Sequence, residues 1–134
     1  MPSLQLDVAA TYDHATKRAL AARLGAAYAE VMETSVDIVT VVVRDLGEGG
    51  VWRCTGDEPV PAALLMCDVR RGRAVATRAE LCRRLVAACE EVAGLDPAMV
   101  KIEFTQHDGD EMWHPHLGGF NRDWAPGDGQ ALPK

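Results

Sequence analysis

Several things are scarce or missing in this chain, and each absence narrows what it can be. No run of residues is apolar for long enough to cross a bilayer, and no secretory leader is expected. The expectation is a cytoplasmic protein with no membrane partner. Basic residues are outnumbered, with 14 Lys and Arg against 20 Asp and Glu, for a formal net charge of −6. That balance argues against nucleic acid as the main partner. The four cysteines, Cys54, Cys67, Cys82 and Cys89, lack metal-type spacing, and Cys82 and Cys89 stand two turns apart on one expected helix. They read as reduced, mostly buried thiols. His114-Pro115-His116 has the look of half a metal site, but only Asp110 and Glu111 lie near enough in sequence to complete it. No metal and no cofactor are expected. At 134 residues the chain suits one domain with a small core.

Against these absences stands one unusual presence. Proline follows the initiating methionine, in Met1-Pro2-Ser3-Leu4-Gln5-Leu6-Asp7-Val8. Small second residues usually permit removal of the methionine. Pro2 would then carry a free secondary amine, a conformationally fixed base or nucleophile. Burial disfavours the charged form of an amine and pulls its pKa towards neutrality, where an acid/base group works best.

The chain also repeats itself. Shifted by 61 positions, residues 4–43 align without a gap on a second segment. Identities fall at Leu4/Leu65, Asp7/Asp68, Val8/Val69, Ala15/Ala76, Thr16/Thr77, Leu20/Leu81, Arg23/Arg84, Leu24/Leu85, Ala26/Ala87, Ala27/Ala88, Glu30/Glu91, Val31/Val92 and Val39/Val100. Such self-similarity marks a duplicated supersecondary unit. Unit 1 covers about 2–45 and unit 2 about 61–107.

Each unit reads as strand, helix, strand. Leu4, Leu6 and Val8 alternate with polar residues, a strand period. Leu20, Leu24, Ala27 and Val31 mark one face of a helix over 14–32, with Asp13 as its N-cap. Ile38 to Val43 is a β-branched run, expected to form a strand covered on both faces. In unit 2, Ala63 to Val69 is the first strand, and Leu81, Leu85, Ala88 and Val92 line the helix. Gly94 stops that helix, and Val100, Ile102 and Phe104 belong to the last strand. Right-handed crossovers then give an α+β sandwich, β-α-β-β-α-β, with a four-stranded sheet and two helices on one face. The other face is expected to be bare, apolar and in need of a partner. Residues 46–60 form a turn-rich loop in which Trp52 begins a short strand or packs on a neighbour. In the tail, 108–134, Trp113, Leu117, Phe120 and Trp124 suggest that the first part docks, and the end from Ala125 is expected to fray.

A chain that starts Met-Pro and fuses two β-α-β units resembles the tautomerase superfamily, whose members use an amino-terminal proline as base, acid or nucleophile. The segment Val69-Arg70-Arg71-Gly72-Arg73, running into Thr77-Arg78-Ala79-Glu80-Leu81, is most similar to the cis-3-chloroacrylic acid dehalogenase group. The resemblance spans residues 2 to about 116. It implies that Arg70 and Arg73 bind a substrate carboxylate, which two guanidiniums can do with several donors at once. It also implies a homotrimer with one pocket per subunit. Where that group has a helix histidine this chain has Tyr28. Where it has a strand tyrosine the chain has Glu103, and where it has a water-activating glutamate the chain has His114 or, with a small shift, Glu111. The repeat partners of Pro2, Arg70 and Arg73 are Ala63, Ala9 and Tyr12, so the amine comes from one unit and the arginines from the other.

The expected activity is proton transfer, a keto-enol tautomerisation of a small 2-oxo or enol acid. Pro2 acts as base, Arg70 and Arg73 hold the carboxylate, and Tyr28, His114 or Glu103 are the further acid/base candidates. The alternatives are a cofactor-independent hydratase, dehalogenase or decarboxylase of a small acid, and a non-catalytic trimer that binds a ligand or a partner.

Overall fold

The computed structural model describes residues 1–120; the expectations for Trp124 and for the segment from Ala125 lie outside the described residues. Strand β1 (Ser3–Val8) leads to helix α1 (His14–Met32) and strand β2 (Thr40–Asp45). A two-stranded ribbon follows, β3 (Trp52–Arg53) with β4 (Val60–Pro61), inside the segment expected to be loop. The second unit is β5 (Ala63–Arg70), α2 (Val75–Ala93) and β6 (Val100–His107). A second small ribbon, β7 (Trp113–His114) with β8 (Gly119–Phe120), closes the described chain.

The main sheet has the order β2-β1-β5-β6. Each unit contributes a parallel pair, and the two units join through antiparallel β1 and β5. In that join Gln5 lies opposite Met66, its own counterpart in the repeat. A local two-fold axis therefore passes through this pair, and what stands at one end of unit 1 recurs at the opposite end of the sheet in unit 2.

Helix α1 begins where expected. The Asp13 carboxylate accepts from the Thr16 backbone N–H at 2.8 Å, satisfying one of the orphan donors of the first turn. Leu20, Leu24, Ala27, Tyr28 and Met32 face the sheet and are buried. Helix α2 buries Leu81, Leu85, Ala88 and Cys89 in the same way and ends at Gly94, whose φ of 67° is left-handed. The counterpart of Gly94 is Glu33, which ends α1 with a φ of 52°. Both helices meet Leu4, Leu6, Val8, Leu65, Cys67 and Val69 in one apolar layer.

Polar side-chain pairings repeat as well. Lys17 pairs with Asp45 at 3.5 Å, and Arg78 donates to Gln106 at 3.2 Å at the equivalent place. Arg23 pairs with Glu91 and Arg84 with Glu30 across the two helices. Ser35 and Asp96 each cap the single 3₁₀ turn before the outer strand of their unit.

Two expectations change here. The open face of the sheet is polar. Ser3, Gln5 and Asp7 of β1, Asp68 and Arg70 of β5, and Lys101, Glu103, Thr105 and His107 of β6 alternate away from the helices. Val42, Leu64 and Met66 interrupt this polarity. Asp7 is buried on that face, and Arg44 donates to its carboxylate, holding its pKa below the usual range. Strand β2 is also an edge strand, not one covered on both faces. Thr40, Val42 and Arg44 are exposed, and Val41 and Val43 lie against the core. Its β-branched run reflects pleated-surface packing.

The four cysteines are free thiols, with Cys67 and Cys89 buried. Trp113 and Phe120 pair across the β7–β8 ribbon with largely exposed side chains, and His116 of the same segment lies 3.9 Å from Asp37. Among the described residues no helix is long and apolar enough to cross a membrane.

Candidate active site

The pairing of β1 with β5 decides where the site falls. Ser3 lies opposite Asp68, and two further steps in that register bring Met1 to Arg70. In turn Arg70 lies opposite His107 on β6, and Thr40 of β2 lies opposite Ser3. One edge of the sheet therefore gathers the start of β1, the start of β2 and the ends of β5 and β6.

A cavity of about 300 Å³ opens there. Met1, Pro2 and Ser3 form one wall, with Ile38 and Thr40 beside them. Asp68 and His107 form the wall along the sheet. The segment from Glu111 to His114 completes the lining. The size suits a small organic acid.

The side chain of Pro2 is fully buried, and its carbonyl accepts from the Thr40 N–H at 3.1 Å. The terminal amine in this structure is that of Met1; removal of Met1 would transfer that role to the Pro2 nitrogen, one residue nearer β1. The Met1 amine is pushed down from 8.0 to about 5, first by burial and then by the charges of Arg73 and Arg70. The Met1 amine is therefore neutral at pH 7.

The two arginines are set by the turn after β5. Gly72 has a φ of 126°, a conformation that favours glycine, and lets the chain reverse between Arg71 and Arg73. Arg71 is tied to β6, donating its backbone N–H to the His107 carbonyl at 2.7 Å and pairing with Asp108. The Arg73 Nη2 donates to the Met32 carbonyl at 2.9 Å, at the end of α1. Burial, the larger influence on Arg73, lowers its pKa; the neighbouring Tyr28 raises it and Arg70 lowers it. Neither arginine lines the cavity wall, but both charges reach the amine.

Tyr28 is 1% exposed, inside the core beneath Arg73. Burial pushes its hydroxyl up to about 12, with the Arg73 charge working in the opposite direction. It does not line the cavity. His114 does, and its Nδ1 accepts from the His116 N–H at 3.0 Å. Glu111 also lines the cavity, while its carboxylate returns to the Asp108 N–H at 3.0 Å in a capping box. Glu103 stands on the exposed face of β6, beside Lys101 at 3.4 Å, and is not part of the wall.

Asp68 and His107 are cavity residues that the sequence reading did not select. The His107 Nε2 lies 3.7 Å from Asp68, and its Nδ1 lies 3.8 Å from Glu111. Parity along β6 was the available signal, because Lys101, Glu103, Thr105 and His107 share the face opposite Ile102 and Phe104. The carboxylates of Asp108, Asp110 and Glu111 group together nearby, all exposed, without His114 or His116.

At the far end of the local two-fold lies a smaller cavity of about 120 Å³. Its wall includes Ala62, Ala63, Ala9 and Met99. These are the counterparts of Met1, Pro2, Arg70 and Ile38. The duplicated frame thus keeps both cavities, and of these two the larger holds an amine, with a cationic turn nearby.

No family model matches the chain, and no curated protein matches it. Solved structures do. N1, a member of the cis-3-chloroacrylic acid dehalogenase family, aligns with a TM-score of 0.77 and 20% identity over 93% of this chain and 85% of its own. A fused 4-OT, described as a symmetric trimer, aligns with a TM-score of 0.74 and 21% identity over 84% of this chain and 90% of its own. Pt0534, in a structure inactivated by 2-oxo-3-pentynoate, aligns with a TM-score of 0.73 and 18% identity over 87% of this chain and 93% of its own. At such identities the likeness is one of architecture. Two helices on a mixed four-stranded sheet, built from tandem β-α-β units, give this chain the fold of the tautomerase superfamily.

Proposed function

We propose that this protein is a proton-transfer enzyme for small 2-oxo or enol acids, working through the amine of Pro2 after Met1 is removed. The observation that carries the reading is the Met1 amine at the cavity, held neutral by burial and by Arg73 and Arg70, because loss of Met1 leaves the Pro2 nitrogen as the amine one residue along the same strand. A neutral secondary amine there can take a proton from an enol hydroxyl or from the carbon next to a carbonyl. The charges of Arg70 and Arg73, beside the amine although neither side chain lines the cavity wall, attract the substrate carboxylate and offset the charge that develops on the enolate oxygen. The same two side chains therefore set the base and bind the acid. Confining base and substrate in one cavity supplies much of the remaining acceleration. No cofactor is required for such a transfer.

Tyr28 serves this reading as the buried neighbour of Arg73, and His114 as an acid/base group in the wall. Addition of water to an unsaturated acid is the second reading, favoured by the placement of Glu111 in the cavity wall. There a protonated Pro2 would act as acid and Glu111 would activate water. A homotrimer is part of the proposal. It is supported by the polar open sheet face, which suits a hydrated interior between subunits, and by the fold shared with a symmetric trimer.

The test is ketonisation of phenylenolpyruvate and 2-hydroxymuconate by protein whose mass confirms loss of Met1. Pro2→Ala should lower turnover by about 10²-fold or more, the range for a lost acid/base group. Turnover that survives the substitution would overturn the reading.

A further inference from the structure

We infer that His107, set between Asp68 and Glu111 across the cavity from the N-terminus, is the second proton-transfer group of this site. The inference rests on the reading of Pro2 as the base.

Position is the first argument. His107 lies opposite Arg70 in the β5–β6 pairing, and Met1 falls opposite Arg70 when the β1–β5 pairing is extended. The row therefore runs from the N-terminus through Arg70 to His107. Two strand spacings separate its ends, about 10 Å between backbones. Side chains reaching in from both ends leave room for the enol and carboxylate end of a small acid, with Arg70 on the strand between them. An acid held there presents its oxygen to one end and its reactive carbon to the other.

The surroundings of the ring are the second argument. Each ring nitrogen of His107 has a carboxylate within 4 Å, Asp68 from β5 and Glu111 from the segment after β6. The other charged or titratable groups facing this corner are Arg70 on β5, Arg71 and Asp108 beside the His107 backbone, His114 in the wall and the terminal amine. An imidazole can donate from one nitrogen while the other faces a carboxylate, and here either nitrogen has such a neighbour. His114 is less well placed, because its Nδ1 already accepts from the His116 backbone in a local turn.

The step balances without an outside reagent. For an enol acid, the Pro2 nitrogen takes the hydroxyl proton. The O–H electron pair becomes the second bond of the carbonyl, and the carbon–carbon π pair takes a proton from a ring nitrogen of His107. The product is the keto acid. The ammonium at Pro2 then loses its proton to water, and the imidazole regains one from water past Asp68 or Glu111.

The experiment compares wild type, Pro2→Ala, His107→Gln and Asp68→Asn, all lacking Met1 by mass, with phenylenolpyruvate as the probe. His107→Gln should lower kcat by about 10²-fold and change KM less than about threefold. Asp68→Asn, which leaves the ring in place, should lower kcat less. Because His107→Gln could perturb the end of β6, the His107 ring resonances of the wild type are also followed by NMR during titration with phenylpyruvate, and they should shift at saturation. Turnover by wild type with kcat of His107→Gln within twofold overturns the role of His107 and leaves that of Pro2 intact. Ring resonances that ignore the bound acid also overturn it. No turnover by wild type overturns both, with the NMR titration then reporting binding alone.

Discussion

Arg73 donates from its Nη2 to the carbonyl of Met32 at 2.9 Å, tying the turn of unit 2 to the end of the helix of unit 1. The counterpart bond exists at the other end of the sheet. Tyr12 stands where the repeat has Arg73, and its hydroxyl donates to the carbonyl of Ala93, the counterpart of Met32, at 3.3 Å. One structural bond has thus been kept twice, with a cation at one end and a neutral phenol at the other. The charge at position 73 is what the architecture does not require. Its consequence is seen on the amine.

Replacing Arg73 by Ala should therefore raise the pKa of the terminal amine. In the chain that keeps Met1, the amine titrates near 5, and burial is the largest cause, ahead of Arg73 and Arg70. The pKa should rise from that value but stay below 8.0, because burial persists. The pH dependence of amine acylation measures it, and an unchanged midpoint would show that the arginine charge does not reach the amine. The same shift couples to folding. The unfolded chain binds this proton below pH 8 and the folded chain only below about 5. Its contribution should make the protein lose stability as pH falls from 8 to 5, and Arg73→Ala should soften that loss.

Asp7 and Arg44 act in the opposite sense. The Asp7 pKa lies below its ordinary 3.8, chiefly through the hydrogen bond from Arg44. Its stabilisation is present above the unfolded value and disappears as pH falls through the folded one. Asp7→Asn should cost about 1–2 kcal/mol at pH 7. It should also flatten the acid limb of a denaturation series. An acid limb identical to wild type would refute the pairing.

Glu33 and Gly94 make a matched pair of helix ends, both left-handed, of which only one is glycine. A residue with a Cβ pays about 1 kcal/mol there. Glu33→Gly should therefore be more stable than Glu33→Ala by about that amount. Both variants lose the same charge near Arg73, so the comparison isolates the backbone. Thermal or urea denaturation of the two variants decides it.

Only the helix side of the sheet carries the core. Leu24 is fully buried, and Leu24→Ala should cost about 2–5 kcal/mol. Val42 points to the open face and is 36% exposed. Val42→Thr should change stability by about 0.5 kcal/mol or less in the monomer. Equal losses in urea denaturation would mean that the open face is packed after all.

Most of the fold was readable in the sequence because duplication writes each element twice. Leu20 and Leu81, or Leu24 and Leu85, confirm each other as helix positions, and the helix predicted over 14–32 forms over those residues. The character of the open face was misread because the apolar positions of β1 and β5 were counted without assigning their odd or even partners. Gln5, Asp7, Asp68 and Glu103 were visible, and parity sends them all to one side. The edge position of β2 was hidden for a different reason, since β-branched residues such as Val41 and Val43 suit a half-covered strand as well as a buried one. The cavity depends on strand order and on the β1–β5 register, which set Pro2 opposite Val69, next to the turn that carries Arg70 and Arg73. His107 escaped notice because its role depends on a cross-strand neighbour, Asp68, and on Glu111 folding back in a capping box. Neither relation has a sequence period.

In the proposed reaction an amine at Pro2, tuned by burial and two arginines, moves a proton on a small acid. The most direct measurement joins intact mass to enol ketonisation on one sample, with Pro2→Ala beside it. The account predicts a mass without methionine, measurable ketonisation of phenylenolpyruvate or 2-hydroxymuconate, and loss of that turnover by about 10²-fold or more in the variant. A mass that retains methionine in the native host, or turnover indifferent to Pro2, would contradict it.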